Sequence, residues 1–416
     1  MTSLNAVVIF IRLVVSLFIQ RLLATNLGEA GIAKIGQIRN LLQIVTSTSS
    51  LGTFNGIVKY VAEFENEQKK LSNLFSTAFI FGFLGALVTG LIIFFNAEFI
   101  SLKLFKANVY AGIIKCLAFI LPVISINRIL YGIINGQSDY KSYAKIELSG
   151  YLLATVSLLI FLYYYSLKGV LFSIIISPLI SFAVILYIAY KKIKIYLKLN
   201  ELSLNFSFAK PLLAFVLMSF VSSVLINYIE IDIRTTIANR INIKEAGYWT
   251  AINFISRNYM VFSASLFTLY VIPKFAKINT GREFKNEVIY IYKTILPLFG
   301  VGMILVYMFR NLIISIVYPN FEGIEPLFKW QLLGDFVRLA TLVLSYQFHA
   351  KRMVWSFVIT EFVSLGLFYF LSKHYVDLYG AEGVVIAHFY RYILYFLVVV
   401  FAVWYYFKSK SNDINE

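Results

Sequence analysis

Ser72-Asn73-Leu74-Phe75-Ser76-Thr77-Ala78-Phe79-Ile80-Phe81-Gly82-Phe83-Leu84-Gly85-Ala86-Leu87-Val88-Thr89-Gly90-Leu91-Ile92-Ile93-Phe94-Phe95 runs for 24 residues without a charge. Wound as an α-helix at 1.5 Å per residue it is about 36 Å long, enough to cross a hydrocarbon core of about 30 Å. The rest of the chain repeats the pattern. Of 416 residues, 60% are apolar and 14% are charged. A soluble domain averages roughly 45–50% apolar and about 25% charged. The balance excludes an ordinary cytosolic enzyme, a disordered chain and a secreted disulfide scaffold. Cys116 is the one cysteine, so no disulfide forms within the chain.

Apolar runs bounded by polar or turn residues predict an all-α polytopic membrane protein with twelve spans. They fall near 5–24, 35–61, 72–95, 111–135, 146–165, 169–190, 211–236, 247–273, 288–309, 326–348, 354–371 and 383–407. An even number puts both termini on one side. The start of the chain lacks the basic segment of a cleaved signal peptide, so the first run is expected to be a retained helix. Net charge is +16, and retained cytoplasmic loops account for most such excess in an inner-membrane protein. The loops that include Lys69, Lys70, Lys191, Lys192, Lys274, Lys277, Lys351 and Arg352 carry about twice the cations of the opposite loops. They are expected to be cytoplasmic, with both termini. Nucleic acid is not an expected partner. The longest polar break, 191–210, reads as a cytoplasmic linker between an N-terminal six-helix bundle, 1–190, and a C-terminal one, 211–416.

The two halves resemble each other. Gly85, inside the opening stretch, matches Gly300 at an offset of 215. Glu29-Ala30-Gly31 matches Glu245-Ala246-Gly247, and Lys59 matches Lys274. Lys115 and Lys329, Glu147 and Glu361, and Gly169-Val170 and Gly383-Val384 follow at 214. Six matches in order point to a parallel repeat, with a pseudo-two-fold axis along the membrane normal. Such an architecture suits a transporter, whose site sits at the repeat interface.

Ionisable residues inside spans face the bundle interior or a watery cavity. Arg12, Arg39 and Arg257 have no acid three or four residues away, so they are the first candidates for an anion-binding cavity. Arg128, Arg338 and Arg391 are further intramembrane cations, and Lys59, Lys115, Lys274 and Lys329 lie nearer span ends, where snorkelling competes with binding. Glu230 and Arg234 are i,i+4, and Asp335 and Arg338 are i,i+3, so each pair shares a helix face. They are candidates for structural pairs or for gates and coupling sites. Glu147 and Glu361 read as structural helix contacts. Arginine presents a fork that matches phosphate and keeps its charge. His349, His374 and His388 show no metal-ligand spacing, and no Walker-type phosphate loop occurs. No cofactor, metal or catalytic group is expected, and no enzyme activity.

Gly52-Thr53-Phe54-Asn55-Gly56-Ile57-Val58-Lys59-Tyr60-Val61-Ala62 and Phe328-Lys329-Trp330-Gln331-Leu332-Leu333-Gly334-Asp335 resemble helices of the Wzx-type oligosaccharide flippases, within the multidrug/oligosaccharidyl-lipid/polysaccharide exporter superfamily. Ile38-Arg39-Asn40-Leu41 and Tyr270-Val271-Ile272-Pro273 match the same family more weakly. The resemblance spans the whole chain and is strongest to the lipid III (enterobacterial common antigen) branch. It implies an inner-membrane carrier of undecaprenyl-diphosphate-linked oligosaccharide, moving O-antigen, common-antigen or related units to the periplasmic leaflet. It implies membrane lipids, a glycan polymerase and a chain-length regulator as partners. Arg39, Lys59 and Asp335 carry over as functional candidates. Arg257 departs from the lipid III pattern, which puts the sugar in question. Rival readings are a lipid II flippase, a multidrug exporter with an acidic cavity, a glycan polymerase, which needs a long outward loop, and a scaffold.

Overall fold

A computed structural model describes residues 2–413 except 138, 204, 205 and 352, with side chains at all of these but 2–6, 140, 199, 264–266, 268, 269, 273 and 410–413. Arg352, counted above among the cytoplasmic charges, lies outside the described residues. The elements are α1 (Thr2–Ser49), α2 (Phe54–Glu63), α3 (Gln68–Phe95), α4 (Ala97–Phe105), α5 (Ala111–Gly136), α6 (Tyr140–Tyr196) and α7 (Ala209–Ser219). They continue with α8 (Ile226–Arg240), α9 (Ile243–Leu266), α10 (Ile272–Lys277), α11 (Gly281–Met308), α12 (Arg310–Val317), α13 (Leu327–Ala350) and α14 (Val354–Asp413). Single π-turns, Phe220–Leu225 and Phe267–Val271, join α7 to α8 and α9 to α10. Among the described residues the chain forms no strand.

Seven described helices are long and apolar enough to cross a membrane, against the twelve spans expected from the sequence. Two physical reasons account for much of the difference. Three of the seven, Val7–Ser49, Lys141–Tyr196 and Val354–Ser409, run for 43, 56 and 56 residues, about twice the 20 or so that one crossing needs. Each is broken by a residue with non-helical backbone, Gly28 (φ 61°), Ser166 (φ 48°) and Gly380 (φ 59°). In addition, α9 carries Arg257 and α13 carries Asp335 and Arg338, and charges lower the mean hydropathy of helices that are otherwise long enough.

The breaks in α6 and α14 are turns. A Cβ on Gly169 would lie 2.1 Å from the Phe161 carbonyl oxygen, and one on Gly383 would lie 2.1 Å from that of Tyr375. A continuous helix would separate residues eight apart by about 12 Å, so the chain doubles back at both places. Only glycine leaves room for that approach.

Packing divides the chain into two compact units, Met1–Ile19 with Lys34–Ile231, and Gln20–Ala33 with Asp232–Glu416. In the first, α3, α5 and α6 pack around Leu71, Phe75, Ile129, Ile133, Ile146 and Ile185. The start of the seventh expected span joins this unit: Leu212 of α7 is buried with Ile57 and Val61 of α2, and Ser219 Oγ donates to the Gly52 carbonyl at 3.1 Å. In the second, α13 packs against α9, α10, α11 and α14. The Gln20–Ala33 turn is held there by Tyr318, whose hydroxyl donates to Gln20 Oε1 at 3.1 Å, and by Arg21, which donates to the Ser315 and Ile316 carbonyls at the end of α12.

Outer faces are apolar. On α3, Phe83, Leu87, Leu91 and Phe95 recur every four residues and are exposed, while Leu71, Leu74, Phe75 and Ala78 are buried. A helix apolar all round fits lipid as its solvent.

Candidate functional site

The second unit buries a carboxylate. Asp335 on α13 is 0% exposed. A lone ion there would carry a desolvation penalty of several kcal/mol, and four neighbours offset it. Oδ2 accepts from Ser256 Oγ and Tyr259 OH of α9, each at 2.5 Å, and from Gln331 Nε2 of α13 at 3.0 Å. Oδ1 lies 3.1 Å from His388 Nε2 of α14. Arg338 Nη1, one turn along α13, is 3.9 Å from Oδ1. Helical spacing makes this possible. Ser256 and Tyr259 are i,i+3 on α9, and Gln331 and Asp335 are i,i+4 on α13, so each pair projects from one face.

A second layer continues along α14. Arg391 is 5% exposed, donates from Nε to Ser364 Oγ at 2.8 Å and lies 4.8 Å from the centre of the Tyr392 ring. Arg338 stands 5.8 Å from the same ring on its own side. Tyr395 OH donates to Glu361 at 2.7 Å. Two arginines thus share one aromatic residue, a cation–π arrangement that burial strengthens on the Arg391 side.

The first unit holds a different cluster. Arg12 Nη1 is 2.8 Å from Glu147 Oε2, with its guanidinium 5.2 Å from the Tyr151 ring centre. Arg128 lies over Phe54 at 4.0 Å. Lys59 sits 3.7 Å from Glu63 and over the Tyr60 ring at 4.3 Å. Arg39 is half-buried on α1, next to Asn40, whose Nδ2 donates to Glu230 Oε2 at 2.8 Å.

The anion candidates therefore divide. Arg12, Arg39 and Lys59 belong to the first unit, and Arg257, exposed on α9, belongs to the second. Asp335 and Arg338 lie close together. Glu230 and Arg234 fall in different units; Arg234 is 2% exposed, donates from Nε to Thr250 Oγ1 at 2.7 Å and stacks over Trp249 at 5.0 Å. Local spacing left Arg12 without an acid, yet Glu147, 135 residues away, supplies one. Sequence spacing alone does not identify Ser256, Tyr259 and Gln331 as partners of Asp335. The i,i+3 polar pair on α9 was the signal available for two of them. Among the described residues no three His, Cys, Asp or Glu side chains gather to hold a metal.

Comparison with known proteins adds ancestry to this geometry. The chain is 25% identical over 393 residues to the lipid III flippase of Escherichia coli (strain K12), covering 93% of this chain and 94% of that one. The lipid III flippase of Shigella flexneri matches equally. An inward-facing multidrug resistance MATE family transporter of the MOP superfamily superposes with a TM-score of 0.75 at 14% identity, covering 94% of each chain. The lipid II flippase MurJ in an inward closed conformation superposes at 0.73 and 16% identity, covering 96% of this chain and 87% of that one. At these identities the two structures speak for the fold alone. The family model described as polysaccharide biosynthesis protein matches residues 33–321, well over half of the sequence, and this chain belongs to that family.

Proposed function

We propose that the chain is a flippase that moves undecaprenyl-diphosphate-linked oligosaccharide units from the cytoplasmic to the periplasmic leaflet of the inner membrane by alternating access. The observation that carries the reading is the match to the lipid III flippase along 93% of the chain. Charge adds the sign: Arg12, Arg39, Lys59 and Arg257 are the candidates to hold the diphosphate, where arginine forks fit phosphate oxygens in pairs. The polyprenyl tail stays in lipid. Multidrug exporters share the fold, and a cationic interior opposes a cationic drug.

Twelve crossings in two six-helix copies, 1–190 and 211–416 around the 191–210 linker, form the working architecture. The order of elements supports it. α3 and α11 are both 28 residues long, and each is followed by a short helix, α4 or α12. The breaks at Ser166 and Gly380 lie 214 residues apart, the offset read between the halves. Asp335 with Arg338, and Glu230 with Arg234, would act as gating or coupling groups, changing partners as the halves rock. Ligand shifts such an equilibrium only by binding one state more tightly. Both termini are cytoplasmic in this reading, and a glycan polymerase and chain-length regulator are partners downstream.

Complementation of a strain lacking its lipid III flippase tests the function. The wild-type chain should restore surface glycan. Arg39→Ala should abolish it at normal protein level, and Arg39→Lys should restore it in part, because a point charge lacks the fork. Full surface glycan with Arg39→Ala would overturn the anion-site assignment.

A further inference from the structure

The antiparallel helices α11 and α13 leave an apolar slot of about 440 Å³ on the surface of the second unit. Gly300, Met303, Leu332 and Phe336 line its body, and Tyr307 and Lys329 stand at one end. Its lips face outward: Ile304 is 60% exposed and Leu333 42% exposed. From Lys329 to Phe336 is seven residues, so the slot is about 10 Å long by helical rise. At its far end Gly300 faces the Phe336 ring, which would lie 3.4 Å from a Cβ at that position.

The charge at the mouth is unbalanced. Arg310, stacked over Tyr307 at 4.3 Å, is paired with Glu325 at 2.5 Å. Lys329 rests over Trp330 at 5.1 Å, and the Trp330 indole donates to Glu382 at 3.1 Å, but Lys329 itself makes no ion pair within 4.0 Å among the described residues. Its repeat counterpart, Lys115, is 3.4 Å from Glu98 of α4. The corresponding helix α12, Arg-Asn-Leu-Ile-Ile-Ser-Ile-Val, carries no acid. At the corresponding place in the second half the lysine stays, the helix before it carries no carboxylate, and an apolar slot lies beside it.

We propose that this slot is a binding site for one anionic phospholipid, with an acyl chain between α11 and α13 and the phosphate on Lys329. Charge complementarity selects the headgroup, since a lysine at a membrane surface attracts anionic lipid. A zwitterionic lipid would bring its own ammonium toward Lys329. An isoprenoid phosphate would offer Lys329 the same charge, so it is a separate arm of the test. The inference rests on the membrane reading and not on what is transported.

The test uses the full-length protein, purified in detergent and exposed to phosphatidylglycerol, phosphatidylethanolamine and undecaprenyl phosphate at equal mole fractions, with bound lipid counted by native mass spectrometry. One phosphatidylglycerol per chain should be retained in preference to the other two. Lys329→Gln should lower that occupancy about tenfold, the loss of one charge-assisted contact, while Lys115→Gln leaves it unchanged. Gly300→Leu should fill the slot and also release the lipid. If Gly300→Leu fails to fold, Lys329→Gln, an exposed change, decides alone. Equal retention in Lys329→Gln and wild type, equal retention of phosphatidylethanolamine, or preference for undecaprenyl phosphate would each overturn the proposal. None of these readouts depends on transport, so failure here is distinguishable from failure of the flippase reading.

Discussion

Asp335 concentrates the polar chemistry of the second unit in one side chain. Its carboxylate takes donors from α9, α13 and α14, so its ionised form is held by three helices together. Loss of one donor leaves the charge under-solvated. Ser256→Ala should cost about 1.5–3 kcal/mol, the range for a hydrogen bond to a charged group, and should lower the detergent unfolding temperature accordingly. Asp335→Ala should cost more, about 3–5 kcal/mol, because Arg338 loses its counter-charge and the buried donors of Ser256, Tyr259 and Gln331 lose their acceptor. Equal unfolding temperatures for wild type and Ser256→Ala would mean that water replaces the serine. The charges themselves were legible in the sequence, because an arginine or aspartate in an apolar run stands out. Their partners were not. Glu147 meets Arg12 across 135 residues and His388 meets Asp335 across 53, and helical spacing reports only neighbours within about one turn.

The turns inside α6 and α14 share one backbone geometry. Ser166 (φ 48°, ψ −135°) and Gly380 (φ 59°, ψ −136°) occupy nearly the same backbone conformation. An L side chain with positive φ meets its own backbone, at roughly 1–2 kcal/mol, and glycine avoids the clash. Ser166→Gly should therefore stabilise the protein, by about 1 kcal/mol once the extra entropy of unfolded glycine is deducted. Gly380→Ser should destabilise by a similar amount. Thermal unfolding of the two variants in the same detergent checks both signs, and a destabilised Ser166→Gly would mean that the serine side chain holds the turn. A helical, membrane-suited chain could be read directly from its apolar runs. Helices α4 and α12 could not: they fall in segments read as outward loops, because eight or nine residues are too few for a periodic signal to stand apart from the neighbouring spans.

Twelve crossings would place successive loops on alternate sides of the membrane. In a Cys116→Ser background, single cysteines at Asn66 and Asn279 should label only from the cytoplasmic side with a membrane-impermeant maleimide. Cysteines at Asn108 and Glu322 should label only from the periplasmic side. Labelling of all four from one side would remove the six-plus-six architecture. The order of elements in the two halves argues for alternation, and the lysine-rich 191–210 segment argues for the cytoplasmic side.

Transport of the substrate class can be measured with purified protein. Purified protein is reconstituted into liposomes that carry a fluorescent undecaprenyl-diphosphate oligosaccharide, and exposure of the sugar to an external glycan-modifying enzyme is followed in time. The account predicts sugar crossing well above that in protein-free liposomes, lost in Arg39→Ala and reduced in Arg39→Lys. Crossing at the protein-free rate with folded wild-type protein, or crossing unaffected by Arg39→Ala, would contradict it.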